Sequence, residues 1–245
     1  MSRGQAYDHL AEWFETLNDD CDYTSWSQYF IEGLEKLHAG RKGLELGCGS
    51  GYFCRSLTRA GYDMTGGDIS PAMLTVAARK SREEGVNVRF LQLDAQKLPA
   101  GEKYDFILAP NDCYNYLPQS ALEAAFRRAA GALKKGGIFW PDISSAYKLR
   151  CKVANNILAD DREDITYLSF NSLKEDRVET DVTLFVQRPD GAFARYDERH
   201  VQYIHETQDV RAALKQAGFE ILSVEGHLGE TCEESDRVNF ICRKV

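Results

Sequence analysis

Three glycines fall within five residues in LELGCGSGYF, Leu44 to Phe53, directly behind a short apolar run. Gly47, Gly49 and Gly51 then sit at a strand-to-helix turn. Bare backbone there permits positive φ and lets a ligand approach main-chain N–H groups at the helix N-terminus. Such a turn suits a nucleotide-like ligand. A dinucleotide fingerprint would read G-x-G-x-x-G or end in Ala, but the position that should be small is Tyr52, and the spacing is G-x-G-x-G. Glu45, an acid where the preceding strand ends, disfavours a nearby pyrophosphate and suits a cationic ligand. At the end of the next strand, Asp68 in GGDISPAML can take both hydroxyls of a ribose in a bidentate hydrogen bond. Asp94 in LQLDAQKLP ends the strand after that. A glycine triplet alone reads as a turn; a triplet with acids on three successive strand ends reads as a site.

The elements that must position these residues alternate. Tyr7, Leu10, Ala11, Phe14 and Leu17 recur at helical spacing, and Tyr29, Phe30, Leu34 and Leu37 make a second amphipathic run before HAGRKG breaks it. Residues 1–40 are therefore expected to hold N-terminal helices. KGLELG, YDMTGGD, NVRFLQLD and YDFILAP read as short buried strands, with helical segments around 52–60, 71–84 and 119–132. GGIFWPDIS makes a fifth strand, and GFEILSVEG and RVNFICRKV make two more. This order predicts one α/β domain over residues 1–245, a doubly wound, mostly parallel seven-stranded sheet of Rossmann-like form. The last two strands leave no room for a crossover helix and should pair antiparallel at one edge.

Between the fifth strand and the helix QDVRAALKQAG the pattern changes to ITYLSFNSL, RVETDVTLFVQR and AFARYDERHVQYIHE, with RPDG as a turn signal. Residues 164–205 are thus expected to form an antiparallel β insertion at the carboxyl edge of the sheet, where open α/β folds bind ligands. It reads as a substrate lid, with a structural flap as the alternative. Tyr196, Glu198, His200 and Gln202 should share one face of its last strand, opposite Asp197, Arg199, Val201 and Tyr203. His200 and His205 read as surface histidines, and Asp160 and Asp161 as a solvated loop.

Composition narrows the function classes. The 245 residues, 43% hydrophobic, suffice for a full core, and no stretch of eighteen apolar residues exists. The first twenty residues turn acidic and amphipathic where a secretory signal needs a continuous apolar segment, so a cytoplasmic location without membrane contact is expected. Seven cysteines without a C-x-x-C pair suggest neither a zinc knuckle nor a disulfide framework, and read as reduced core thiols. A formal net charge of -8 opposes a broad nucleic-acid footprint.

With these residues in place, the chain resembles the class I S-adenosylmethionine-dependent methyltransferases. LELGCGSGYF looks like their first motif, GGDISPAML like the acidic loop, LDAQKLP like the adenine-side loop, and YDFILAPNDCYNYL like the fourth motif at the active-site mouth. The start, YDHLAEWFETLNDDCDYTSW, and the β insertion resemble a bacterial branch with an inserted lid, so the resemblance runs through the whole chain. It implies S-adenosyl-L-methionine as cofactor and no metal. Gly47, Gly49 and Gly51 would pass under its methionine portion, Glu45 would help fix its ammonium, and Asp68 would bind the ribose. Ile69 and Met73 would flank the adenine, and Asp94 and Ala95 would meet its exocyclic amine. Asn111 and Asp112 would lie beside the sulfonium, with Asn115 and Tyr116 facing the acceptor. Tyr7, Tyr23 and Trp26 are candidates for capping the cofactor, with membership of the core as the alternative.

NDCYNY replaces the compact N/D-P-P-Y/F of many amine and nucleic-base methylases, which argues against an adenine- or amide-nitrogen acceptor. The sulfonium methyl is already activated, so the protein's work is to hold the acceptor in line and exclude water. A proton must still leave an oxygen or nitrogen acceptor; Asp112, Tyr116, Tyr203 and His200 are the candidate bases. The acidic charge and the lid favour a small-molecule methyltransferase. The alternatives are an RNA or tRNA methyltransferase, which needs a local basic rim, and a sensor that binds the cofactor without transferring a methyl group.

Overall fold

The computed structural model describes residues 6–99, 101 and 104–245. The chain enters through a 3-10 turn, Leu10–Trp13, that runs into a single helical turn α1, Phe14–Leu17, and then α2, Tyr23–Lys36, whose N-terminus is capped by the Asp22 carboxylate accepting from Ser25 N at 3.0 Å. There follow β1 (Lys42–Leu46), α3 (Tyr52–Arg59), β2 (Asp63–Asp68), α4 (Pro71–Glu83), β3 (Arg89–Gln92), β4 (Tyr104–Ala109), α5 (Gln119–Ala132) and β5 (Leu133–Ser144). After the insertion, α6 (Thr207–Gln216) leads to two last strands, labelled below. Among the described residues, no helix is long and apolar enough to cross a membrane.

The insertion is larger than its sequence suggests. It is an antiparallel meander of four strands: β6 (Ile157–Asp161), β7 (Ile165–Leu173), β8 (Arg177–Gln187) and β9 (Phe193–Tyr203). β6 begins upstream of residue 164 and contains Asp160 and Asp161, which are strand residues and not loop. ILADD ends in two acids and shows no alternation, and it becomes a strand because it pairs with β7 from Ile157 opposite Phe170 to Asp161 opposite Thr166.

The main sheet has seven strands in the order β10-β11-β5-β4-β1-β2-β3, where β10 is Phe219–Glu225 and β11 is Arg237–Lys244. β11 runs antiparallel to both β5 and β10, and the rest are parallel. Strand periodicity divides the core between the two faces. Ile107, Phe139 and Phe240 pack with Leu122 and Phe126 of α5 and with Val210 and Leu214 of α6. Phe106, Leu108, Ile138 and Trp140 pack on the other face against Phe30 and Leu34 of α2 and Phe53 and Leu57 of α3. β1 lies between β2 and β4, so the chain winds one way through β2 and β3 and then returns to the other side of β1. The crevice at that reversal, outside the carboxyl ends of the strands, is where such sheets take ligands.

The N-terminal segment departs from the continuous helix its spacing predicts. Tyr7 has φ +68°, and the backbone N–H groups of Tyr7, His9 and Leu10 all donate to the Glu198 carboxylate of β9, at 2.9, 2.5 and 2.9 Å. A tertiary acceptor has taken donors that a longer helix would leave free at its first turn. Leu10 packs with Ile165, Val182 and Leu184, so the segment crosses the inner face of the insertion.

The two sides of β9 separate as its alternation predicts: Glu198 and His200 are buried, while Arg199 on the other face is exposed and pairs with Glu179 at 2.6 Å. His200 and His205 are accordingly not surface histidines. Burial pushes the His205 imidazole below its ordinary value, and the ring bonds Gln119 Oε1 at 2.8 Å and Tyr114 O at 3.3 Å. All seven cysteines are free; Cys48, Cys54 and Cys242 are buried, and Cys151 is exposed.

Asn115 ties the insertion to the sheet. Its side chain, wholly buried, donates to Ser144 O at 3.3 Å and Tyr203 O at 2.9 Å and accepts from Ser144 N at 2.9 Å. Those bonds use the amide for cross-linking and leave it no role toward an acceptor. Asn115→Ala should therefore lower unfolding stability by roughly 2–4 kcal/mol through orphaned backbone groups at the ends of β5 and β9. Denaturant unfolding measures this, and an unchanged midpoint would contradict the assignment.

Candidate active site

The loop from β1 to α3 needs its glycines for separate reasons. Gly47, Gly49 and Gly51 all have positive φ, at +67°, +50° and +78°. A Cβ on Gly47 would lie 2.8 Å from Cys113 Sγ, and one on Gly51 would lie 2.9 Å from the Phe90 ring. Gly51 thus serves helix packing and does not line the cavity described below. Around Gly49 the nearest such contact is Met73 Sδ at 4.0 Å, so that glycine faces open space.

Asp68 holds the loop in place. Its Oδ2 accepts from Gly49 N and its Oδ1 from Ser70 N, both at 2.8 Å, which joins the end of β2 to the turn after β1. Burial raises this carboxyl above its usual value against the pull of those N–H donors. Each oxygen keeps a lone pair for a further donor. Ser70 and Pro71 then start α4, with Met73 N donating to Ser70 Oγ at 3.3 Å, and α4 presents Met73 to the cavity.

The cavity at the carboxyl ends of β1, β2 and β4 has a volume of about 350 Å³. Tyr7, Tyr23, Glu45, Gly47, Gly49, Asp68, Ile69, Met73, Asp94, Ala95, Asn111 and Tyr116, all candidates from the family resemblance, line it. Trp26 does not. It is buried in the core, its ring packs on Phe30 and Phe53, and Arg237 lies 4.6 Å over its face. Asp112 and Asn115 are also outside the lining. Asp112 accepts from Ser144 Oγ at 2.7 Å, and its backbone N donates to Asp142 Oδ1 at 2.7 Å. Asp142 in turn accepts from Asn111 N at 2.9 Å and pairs with Arg237 at 2.9 Å, a buried network that fixes the loop after β4. Tyr203 gives its carbonyl to Asn115 and is not a lining residue.

Phe14, Ser50, Tyr52, Leu93, Cys113 and Leu117 also face the cavity and escaped the sequence analysis as site residues. Phe14 had a signal, since it falls on the same helical stripe as Tyr7, but that stripe reads as core. Glu15, one residue on, joins this segment to the glycine loop: it accepts from Ser50 Oγ at 2.5 Å, Arg55 at 3.1 Å and Lys80 at 2.7 Å. Arg55, a buried residue of α3, also donates to Ser50 O at 2.6 Å.

The electrostatics select the ligand. Among the described residues, three acids and no Lys or Arg line the cavity. Glu45 is 1% exposed, its Oε2 has no hydrogen-bond partner among the described residues, and burial pushes its carboxyl up to about 8 despite hydrogen bonds from Cys54. An unpaired carboxylate here is costly until a cation meets it. The Tyr23 hydroxyl is likewise buried without a partner. Ile69, Met73 and Leu93 offer apolar surface for a flat ring, and Asp94, whose Oδ1 accepts from Gln96 N at 2.9 Å, lies at the far side. These groups fit S-adenosyl-L-methionine, which carries an ammonium, a sulfonium, a ribose and an adenine.

The carboxyl of Glu45 makes a pH-dependent prediction. Its folded value of about 8 lies above its ordinary 4.5, so the native state holds a proton that the unfolded chain has lost between those values. Stability falls as pH rises through that window, and the penalty is complete above it. Glu45→Gln should unfold at the same temperature as the wild type below the window. Above it, the variant should unfold roughly 3–10 °C higher. Calorimetry across pH checks both, and parallel curves would refute the assignment.

Comparison with known proteins identifies the kind of enzyme. A methyltransferase-domain family model matches residues 44–137, which span the glycine loop, Asp68, Asp94 and the loop after β4. A provisionally named methyltransferase of Geobacillus sp. (strain WCH70) is 29% identical over 97% of this chain and 99% of its own. The crystal structure of an S-adenosylmethionine-dependent methyltransferase from Clostridium acetobutylicum ATCC 824 superposes with a TM-score of 0.88 at 26% identity, over 98% of this chain and 99% of that one. A sugar N-methyltransferase from Streptoalloteichus sp ATCC 53650 shares the fold, with a TM-score of 0.79 at 19% identity over 100% and 95% of the two chains. With its sequence and fold shared over nearly its whole length, the chain belongs to the class I S-adenosylmethionine-dependent methyltransferases.

Proposed function

We propose that this methyltransferase transfers a methyl group to an oxygen or nitrogen of a small molecule that is neutral or cationic when it enters. The observation that carries this reading is the lining itself. It is aromatic and acidic, holds no Lys or Arg among the described residues, and is roofed by a segment pinned to the insertion. An anionic polymer needs a cationic track, and the lining offers none. The sugar N-methyltransferase named above points the same way, because it combines the same fold with a small polar acceptor.

In this reading the chain's own groups divide the cavity. Glu45 takes the ammonium end of the cofactor beside Gly47 and Gly49, and Tyr23 offers its free hydroxyl there. Asp68 takes the ribose hydroxyls with the lone pairs its backbone bonds leave open. Ile69 and Met73 hold the adenine, and Asp94 and the Ala95 backbone meet its amine. S-adenosyl-L-methionine supplies a methyl group activated by positive sulfur. Asn111 and Tyr116 face the remaining space, where an acceptor is held in line. The insertion acts as the lid, with Tyr7 and Phe14 of the N-terminal segment excluding water beneath it.

Two measurements test this. In calorimetric titration the protein should bind S-adenosylhomocysteine and show little affinity for NAD, and Asp68→Ala should lose about 1–3 kcal/mol of S-adenosylhomocysteine binding. Tighter binding of NAD, or an unchanged affinity in the variant, would overturn the assignment of the site. In an S-adenosylhomocysteine-release assay, pools of small amines and hydroxylated metabolites should give turnover and tRNA should not. Turnover with tRNA alone would replace the small-molecule reading.

A further inference from the structure

A chain of four side chains leads out of the cavity into the insertion. Tyr7 Oη lies 2.7 Å from Tyr116 Oη, Tyr116 Oη lies 3.2 Å from His200 Nδ1, and His200 Nε2 lies 3.2 Å from Glu198 Oε2. Tyr7 and Tyr116 line the cavity, whereas His200 and Glu198 are buried behind them on β9.

The direction of the protons follows from the far end. Glu198 is held ionised: burial pushes its carboxyl up, but His200 and the N–H groups of His9, Leu10 and Tyr7 outweigh burial and leave it below its ordinary value. An ionised carboxylate only accepts, so His200 Nε2 carries the hydrogen. In the neutral ring Nδ1 is then bare and accepts from Tyr116. With the Tyr116 proton committed to His200, Tyr7 donates to Tyr116. The Tyr116 oxygen keeps one lone pair, and the cavity is where that lone pair can be met.

We propose that Tyr116, His200 and Glu198 form a relay that removes the proton of the methyl acceptor, an inference that rests on the oxygen or nitrogen acceptor proposed above. The acceptor X–H donates to Tyr116 Oη. As the bond from X to the methyl carbon forms, the bond from that carbon to sulfur breaks and its electron pair stays on sulfur. The proton on X passes to Tyr116 while the Tyr116 proton passes to His200 Nδ1. The products are the methylated acceptor, the neutral thioether and an imidazolium paired with Glu198. Tyr116 touches the acceptor; His200 and Glu198 act through it.

The alternatives in the cavity are worse placed. Asp112 is outside the lining and already accepts from Ser144, and Glu45 and Asp68 belong to the cofactor's end. Tyr116 cannot keep the proton deficit itself, because burial, then the charge of Asp112, pushes its hydroxyl far above the ordinary tyrosine value. The groups around His200 are Glu198 on its own strand, Tyr116 from the turn after β4, Tyr7 from the N-terminal segment and Thr180 opposite on β8, with Tyr167 of β7 acting on both Glu198 and Tyr116.

The test needs no acceptor. In the full chain with imidazole nitrogens labelled with ¹⁵N, the His200 resonances are assigned by their loss in His200→Gln. At alkaline pH they should show Nε2 protonated and Nδ1 bare. In Tyr116→Phe the Nδ1 resonance should move downfield as its hydrogen bond is lost, with the Nε2–H kept. A hydrogen on Nδ1, or an Nδ1 resonance indifferent to Tyr116→Phe, would overturn the relay even if an acceptor had been found. A failed acceptor screen would count against the proposed function and would not alter these resonances.

Discussion

One carboxylate joins the parts of this molecule that its sequence keeps far apart. Glu198 lies on the last strand of the insertion, accepts from three backbone N–H groups near the start of the chain, and bonds the imidazole that reaches toward the cavity. Charge-assisted bonds to main-chain donors are among the stronger ones available to a buried group. They hold the Tyr7 segment in a conformation that its helical spacing alone would not choose. The roof of the cavity and its seat on the insertion follow from that attachment.

The opposite wall is built on a different balance. Arg55 and Glu15 fasten the N-terminal segment to the glycine loop, and Asp68 fastens that loop to the end of β2. These groups are satisfied. Among the described residues, Glu45 Oε2 and the Tyr23 hydroxyl find no partner. Natural proteins rarely bury polar atoms without partners, and both of these face the cavity. The protein gives up stability on this wall of the cavity, and a cation that met Glu45 would return it.

The sheet was legible because each strand carries its own signal: apolar runs bounded by glycine or acid, with helices of the right length between them. This wall of the cavity was legible for a related reason, since Gly47, Gly49, Asp68 and Asp94 sit at strand ends whose order fixes their proximity. What the sequence could not show depends on contacts between distant segments. His200 reads as a surface residue until β9 is seen against the N-terminal segment, and Asn115 reads as an acceptor-facing group until Ser144 and Tyr203 are seen beside it. Trp26 stacks on Tyr23 three residues away and shares Phe53 with it, yet only Tyr23 lines the cavity. β6 has no signal of its own and exists through β7.

Fastening the roof to a carboxylate also makes it sensitive to acid. Glu198 ionises below its ordinary range in the folded state, so its stabilising bonds are complete above that range and are lost as pH falls through the depressed value. The sheet core depends on apolar packing and does not share this dependence. Acidification below the ordinary carboxylate range therefore loosens one end of the chain while the apolar packing of the seven strands stays in place. The cavity would become accessible through a local release of its cover, with the rest of the fold intact.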